Sequence, residues 1–231
     1  FIYQLYKNIK IWAISQNTKA DILDIIPKGD VDILPLGIDS KLPKKISTKP
    51  RKFRQPTAIF VARLVKMKGI ELAIESIAEI KKQIPDIRLL VIGRGEELYE
   101  NSLKNKVISL NLSQQVQFLG YVDETTKYEL MGKSHFLLHP SYKEGFGLTV
   151  LEAGLVETAA IVKGGSSLDE LINSKIDGWV VKSASQMGKA FVRGYQLKKY
   201  RVMGQAARRK ALNYSWTKIL RKKIRVEDLH L

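Results

Sequence analysis

Glu144 and Glu152 stand eight positions apart in the stretch SYKEGFGLTVLEAG (141–154), on either side of Gly145, Phe146 and Gly147. The two glycines oppose helix locally because they hold backbone freedom that other residues lack. Glu144 therefore belongs to a loop, and Glu152 lies about one turn inside a helix that starts near Leu148. An anion at such a junction meets unpaired backbone N–H groups and the positive end of the helix dipole. A carboxylate in the first turns can accept hydrogen bonds from adjacent ribose hydroxyls, as an acid does in dinucleotide-binding folds, while a loop carboxylate can hold a second polyol such as a sugar. The spacing suits a nucleotide sugar. A plainer account also fits, since an acid near a helix start is favoured by the dipole with no ligand at all.

Arg63 and Lys68, in VARLVKMKG (61–69), flank another loop. A fork-shaped guanidinium and a point-charge ammonium at the carboxyl end of a strand would together neutralise a diphosphate. Lys68 at the start of the next helix opposes the dipole, which an anion between the two cations would explain. An ordinary solvated loop explains them equally well. His135 and His139 flank an apolar strand, but HFLLH lacks the glutamate of a zinc-protease motif, no third ligand is evident, and Pro140 argues against a helix that would pair them. No metal site is expected, and His139 stands at the strand end where it could approach a ligand.

These residues need a scaffold, and the hydrophobic pattern supplies one. Strands are predicted at 57–63, 87–93, 115–120, 135–139, 159–163 and 178–181. Helices are predicted at 68–84, 96–110, about 123–133, about 148–158 and near 167–173, with 185–212 largely helical. Ile70, Ala73, Ile74, Ile77, Ala78 and Ile84 form one helical stripe. Strand and helix alternating at this spacing argue for an α/β fold, a doubly wound parallel sheet with ligands at the carboxyl ends of its strands. Residues 1–40 repeat the grammar once, as strand 9–15, helix 18–26 and strand 31–37. The basic, proline-containing stretch 41–56 reads as a solvated linker, 57–212 as the main domain, and 213–231 as a terminal helix from Trp216 to about Asp228, capped by Ser215.

The chain has 231 residues, 45% hydrophobic and 27% charged, enough to bury a core. It has no cysteine, which excludes disulfides and points to a reducing, cytoplasmic setting. Nothing reads as a signal peptide or a transmembrane helix. With 39 Lys and Arg against 23 Asp and Glu, the net charge of +16 implies an anionic partner: nucleic acid, phospholipid or a phosphorylated ligand. No nucleic-acid motif is recognisable. The basic helix 208–229 puts Trp216, Ile219, Leu220 and Ile224 on one face, which suits packing or a peripheral anionic membrane contact.

Five stretches in order, VARLVKMKG, VIGRGEE (91–97), VQFLGYV (116–122), PSYKEGFGLTVLEA (140–153) and the run from Gly164–Gly165 through DELI to DGWVV (to 181), resemble the carboxyl-terminal half of a retaining glycosyltransferase of family 4, with the GT-B fold. The resemblance implies a UDP- or GDP-type nucleotide-sugar donor, no further cofactor, and an unidentified glycan or lipid acceptor. It implies that Arg63 and Lys68 hold the diphosphate and Glu144 the donor sugar. The amides from Gly145 through Phe146, Gly147 and Leu148 to Thr149 would cradle sugar and phosphate, and Glu152 would hold the ribose. Gly93 and the stretch from Leu119 to Val122 would line the base pocket. The chain departs from the family pattern at Ala62, usually Gly, and at Val156–Ala159, usually a small-Gly-x-Pro turn. Residues 1–40 resemble only the end of the family's amino-terminal domain, so the isolated chain is expected to be inactive. The competing expectations are a non-catalytic basic module for nucleic acid or membrane, and another GT-B activity such as a phosphorylase or an epimerase.

Overall fold

The structure is a computed structural model, and it describes residues 9–223. Its centre is a sheet of six parallel strands in the order β5-β4-β3-β6-β7-β8. These are β3 (Thr57–Val61), β4 (Arg88–Ile92), β5 (Val116–Gly120), β6 (Phe136–His139), β7 (Ala159–Lys163) and β8 (Gly178–Val181). All five residues of β3 are buried, because helices cover both faces and leave no side for polar alternation.

The pleat sends successive residues to opposite layers. Ala58, Phe60, Leu89, Val91, Phe136, Leu138 and Ile161 join one core with α2 (Ile70–Lys81), α3 (Glu97–Ser109) and α7 (Ala184–Gln196). Ile59, Val61, Leu90, Ile92, Leu137, Ala160 and Val162 join the other with α4 (Glu124–Lys133), α5 (Leu148–Leu155) and α6 (Leu168–Leu171). Phe60, Phe136 and Phe191 are fully buried, and truncating any one of them to alanine would cost about 3–5 kcal/mol.

Topology decides where a ligand can sit. The chain runs outward from β3 through α2, β4 and α3 to β5, then crosses back on α4 to pair β6 with the other edge of β3, in the register Ala58 to Phe136. The order therefore reverses between β3 and β6. The helices that follow those two strands, α2 and α5, pack on opposite faces of the sheet, and the point where their loops meet is the crevice where open α/β sheets bind ligands.

A smaller parallel pair, β1 (Ile11–Ala13) and β2 (Val31–Ile33), flanks α1 (Gln16–Ile25). The strands are shorter than their hydrophobic runs, and α1 begins earlier than predicted because Ser15 caps it, its Oγ accepting from the Thr18 amide at 3.0 Å. The stretch 184–211 is two helices, α7 and α8 (Lys199–Ala211), broken at Lys198 in the left-handed region. The last helix, α9 (Trp216–Lys223), packs its Trp216 ring on Gly37. The predicted extension of α9 to about 228 lies outside the described residues, as do residues 1–8.

Residues 41–56 form no helix or strand, but the expected solvated linker is corrected over its second half. Lys52 donates from Nζ to the Glu157 carbonyl at 2.9 Å and to Thr158 Oγ1 at 2.8 Å, and the Phe53 amide donates to the Lys133 carbonyl. Aliphatic stems and one aromatic ring give this basic stretch enough apolar surface to pack. Burial of its amine, only partly offset by the Glu157 charge, pushes Lys52 down to about 7.

Candidate functional site

The loops after β3 (62–69) and β6 (140–147) press together at the switch point. Gly69, at φ 69°, lies so close to the Pro140 carbonyl that a Cβ there would sit 2.1 Å from its oxygen. The Tyr142 amide donates to the Met67 carbonyl at 2.9 Å. Between the loops opens a cleft of about 360 Å³ whose walls include Arg63, Lys68, His139, Glu144 and the run Gly145–Thr149, with Ile14 and Leu36 closing it from the small unit.

Glu144 is the electrostatic centre of this cleft. Its Oε2 receives Lys68 Nζ at 2.8 Å and His139 Nε2 at 3.0 Å. Burial alone would raise the carboxyl, but the hydrogen bonds from His139 and Lys68 outweigh it and hold the group at about 2. It is thus an ionised acceptor, unsuited to proton transfer near neutral pH. Lys68 ends a short 3-10 turn (66–68), outside α2. The anion that its position called for is Glu144 itself, so a bound diphosphate is not needed to explain it. Arg63 is exposed, and its guanidinium makes no hydrogen bond or ion pair among the described residues.

Beyond Glu144 the chain turns through Gly147, at φ 104°, into α5. The amides of Leu148 and Thr149 open the helix, where no intrahelical acceptor exists for them. The Phe146 side chain is buried against Tyr214, ring centroids 5.7 Å apart. Glu152, one turn on, accepts from Lys127 Nζ at 3.1 Å. It looks into a second cleft of about 600 Å³ between α4, α5 and the segment 37–44, and Leu148 borders both clefts. The two glutamates therefore flank adjoining spaces, with the α5 amino terminus between them.

Gly93, Leu119 and Val122 line neither cleft. Gly93, at φ 137°, lies against the Ala62 carbonyl, where a Cβ would come within 1.8 Å of the oxygen. Closure of the β3 and β4 ends is reason enough for a glycine there. Leu119 and Val122 pack partly buried on the core beneath α4 and α5.

Sequence reasoning missed three partners: His139 and Lys127 on the two glutamates, and Glu170, whose carboxylate accepts the Gln16 and Asn17 amides at 2.9 and 2.8 Å and so docks the amino terminus of α1 beside Gly145. Only His139 had a signal, its place at the carboxyl end of β6. His135 is separate from this site. It accepts from the Thr57 amide at 3.1 Å, and burial, with the Lys52 charge, pushes it down to about 4. Among the described residues no three metal-ligating side chains converge.

The family model for glycosyl transferases group 1 matches residues 43–209, most of the chain and all of the clefts' charged residues on the large domain. The chain belongs to the group 1 glycosyltransferases. A glycosyltransferase of Methanocaldococcus jannaschii, itself uncharacterised, is 26% identical over 188 residues, covering 76% of this chain and 47% of its own length. The crystal structure of a glycosyltransferase from Rickettsia africae superposes with a TM-score of 0.83 at 20% identity, over 99% of this chain and 67% of that one. A pneumococcal O-GlcNAc transferase, solved with UDP and GlcNAc, superposes with a TM-score of 0.79 at 20% identity, over 96% of this chain and 46% of that one. The GT-B architecture is common to these folds, and this glycosyltransferase chain spans about half the length of the curated relatives it matches.

Proposed function

We propose that this chain is the donor-binding part of a retaining glycosyltransferase that takes a sugar from a UDP- or GDP-type nucleotide and passes it to a glycan or lipid acceptor. The observation that carries the reading is the pair of adjoining clefts at the switch point, with Glu144 on one, Glu152 on the other and the free amides of α5 between them. A diphosphate fits that amide terminus, with Arg63 and the remaining Lys68 protons as counter-charge. Glu144 would accept from hydroxyls of the donor sugar and Glu152 from the ribose, after exchange with Lys127. We assign the base toward Gly93, Leu119 and Val122. The UDP and GlcNAc held by the pneumococcal transferase support a nucleotide-sugar donor.

In the chemistry we assign, the bond from the anomeric carbon to the leaving phosphate oxygen breaks, and the acceptor oxygen bonds to that carbon from the same face. The acceptor proton passes to the departing diphosphate. Glu144, held ionised far below neutral pH, orients the sugar and takes no proton. Arg63, Lys68 and the α5 amides stabilise the charge that develops on the leaving group, the larger part of the catalytic effect. Acceptor contacts would come mainly from the side of β1, α1 and β2, so transfer requires more of that domain than this unit.

Calorimetric titration with UDP-glucose, UDP-GlcNAc and GDP-mannose tests the reading. Binding should weaken at least tenfold in Arg63→Ala and in Glu152→Ala, and absence of binding to every nucleotide sugar refutes it. The net charge of +16 favours a second reading, a basic module for nucleic acid or membrane. It predicts RNA or acidic-vesicle binding that falls steeply with salt and survives Glu152→Ala. On α9, Trp216 and Leu220 are exposed beside Lys218, Arg221 and Lys222, a composition that suits a peripheral membrane contact, measurable by vesicle sedimentation.

A further inference from the structure

We propose that His139 is a positioning residue for the donor sugar: it pins one oxygen of Glu144 so that the other is presented to the sugar's hydroxyls. The inference rests on the donor reading above and adds to it a residue and a role.

Lys68 and His139 both bond Oε2 of Glu144, and among the described residues no hydrogen bond reaches Oε1. The two donors differ in kind. Lys68 is a point charge on a flexible four-carbon stem, which fixes a carboxylate's charge better than its direction. His139 is a rigid ring on the last residue of β6, only 2% exposed, and it lines the same cleft as Glu144. A bond from such a ring holds the plane of the carboxylate.

The chemistry of the pair also fixes which nitrogen donates. An ionised carboxylate only accepts, so Nε2 must carry a proton. Nδ1 is buried without a partner. Glu144, Lys68 and Arg63 are the other charged side chains that line the cleft. Ser167, which donates from Oγ to the Glu144 carbonyl at 2.7 Å, anchors the backbone beneath. The carboxylate is thereby held from both ends.

The test compares nucleotide sugars with the nucleoside diphosphates that lack the sugar. UDP, GDP, UDP-glucose, UDP-GlcNAc and GDP-mannose are titrated into the wild-type chain, His139→Leu and His139→Gln, with thermal unfolding as a check of folding. His139→Leu is expected to weaken the preferred nucleotide sugar by about tenfold, the scale of one hydrogen bond to a charged group, and to change UDP or GDP binding less than twofold. His139→Gln, whose amide can donate from nearly the same place, should recover most of the loss. If His139→Leu does not fold, His139→Asn, polar but too short to reach Oε2, replaces it with the same expectation. Equal weakening of both ligand classes, no weakening, or a glutamine as poor as leucine overturns the proposal alone. Failure of the wild-type chain to bind any of the five ligands removes the donor reading, and the proposal with it.

Discussion

Glu144 should leave a measurable acid limb in the stability of the chain. Its folded carboxyl titrates at about 2 against an ordinary value of 4.5, so above pH 4.5 both folded and unfolded chains carry the charge. Below it the unfolded chain takes up a proton that the folded chain refuses. Stability from this group is therefore fully present above the unfolded value and is lost as the pH falls toward the folded one. Linkage puts the loss at about 0.8 kcal/mol by pH 4 and about 2 kcal/mol by pH 3. The perturbation is Glu144→Gln, which keeps the size of the side chain and removes the titration. Urea unfolding at pH 7, 5, 4 and 3, with m-values held common, gives the two curves. Other carboxylates, including the Asp123 cap of α4, titrate in both proteins and cancel in the difference. The wild-type advantage should shrink as the pH falls, by roughly the amounts above. Curves that stay parallel to pH 3 would mean that Lys68 and His139 do not hold Glu144 ionised in solution.

Glu157 occupies the left-handed region at φ 55°, where a residue with a side chain is strained by about 1–2 kcal/mol while glycine gains unfolded-state freedom of about 0.4–1 kcal/mol. Glu157→Gly should thus raise stability by roughly 0.5–1 kcal/mol, seen as a higher thermal midpoint; a lower midpoint would count against the strain. Gly93→Ala should cost more than about 2 kcal/mol in urea unfolding even with no ligand present, because its Cβ would strike the Ala62 carbonyl. For Lys52, burial lowers the folded pKa from 10.5 to about 7, so between those values the unfolded chain binds the extra proton and stability rises with pH. Thermal midpoints followed from pH 7 to 9.5 should show that rise in the wild type and lose it in Lys52→Met.

The six strands were legible because parallel strands covered on both faces read as unbroken apolar runs, and α2 because its isoleucines recur at helical spacing. Their spatial order was not written in any one run. Only the observed order brings loops 62–69 and 140–147 together, and with them Arg63, Lys68 and Glu144. The charged residues were legible as types, but their partners within the fold were not. Lys68 was read as a cation for a diphosphate, and the fold also gives it a glutamate partner 76 positions away. Lys127 lies 25 positions from Glu152 on another helix, a separation at which no local rule operates. Gly93 illustrates a different limit, since a glycine needed for a ligand's approach and one needed for a neighbouring carbonyl look alike in a sequence. Lys52 was read from its charge as solvated, whereas its long stem allowed the amine to be drawn in.

The contact of Lys52 with the Glu157 carbonyl and Thr158 Oγ1 also sets a limit on dissection. The turn from α5 into β7 lacks a proline to stiffen it, and it is held instead by a lysine that precedes the first strand of the large sheet, with Gly204 packed on the same Glu157 carbonyl. A version of the domain trimmed to begin at Thr57 would keep every strand of the large sheet and lose that staple, so a boundary that preserves it lies ahead of Lys52, inside the stretch that charge composition alone marks as a linker.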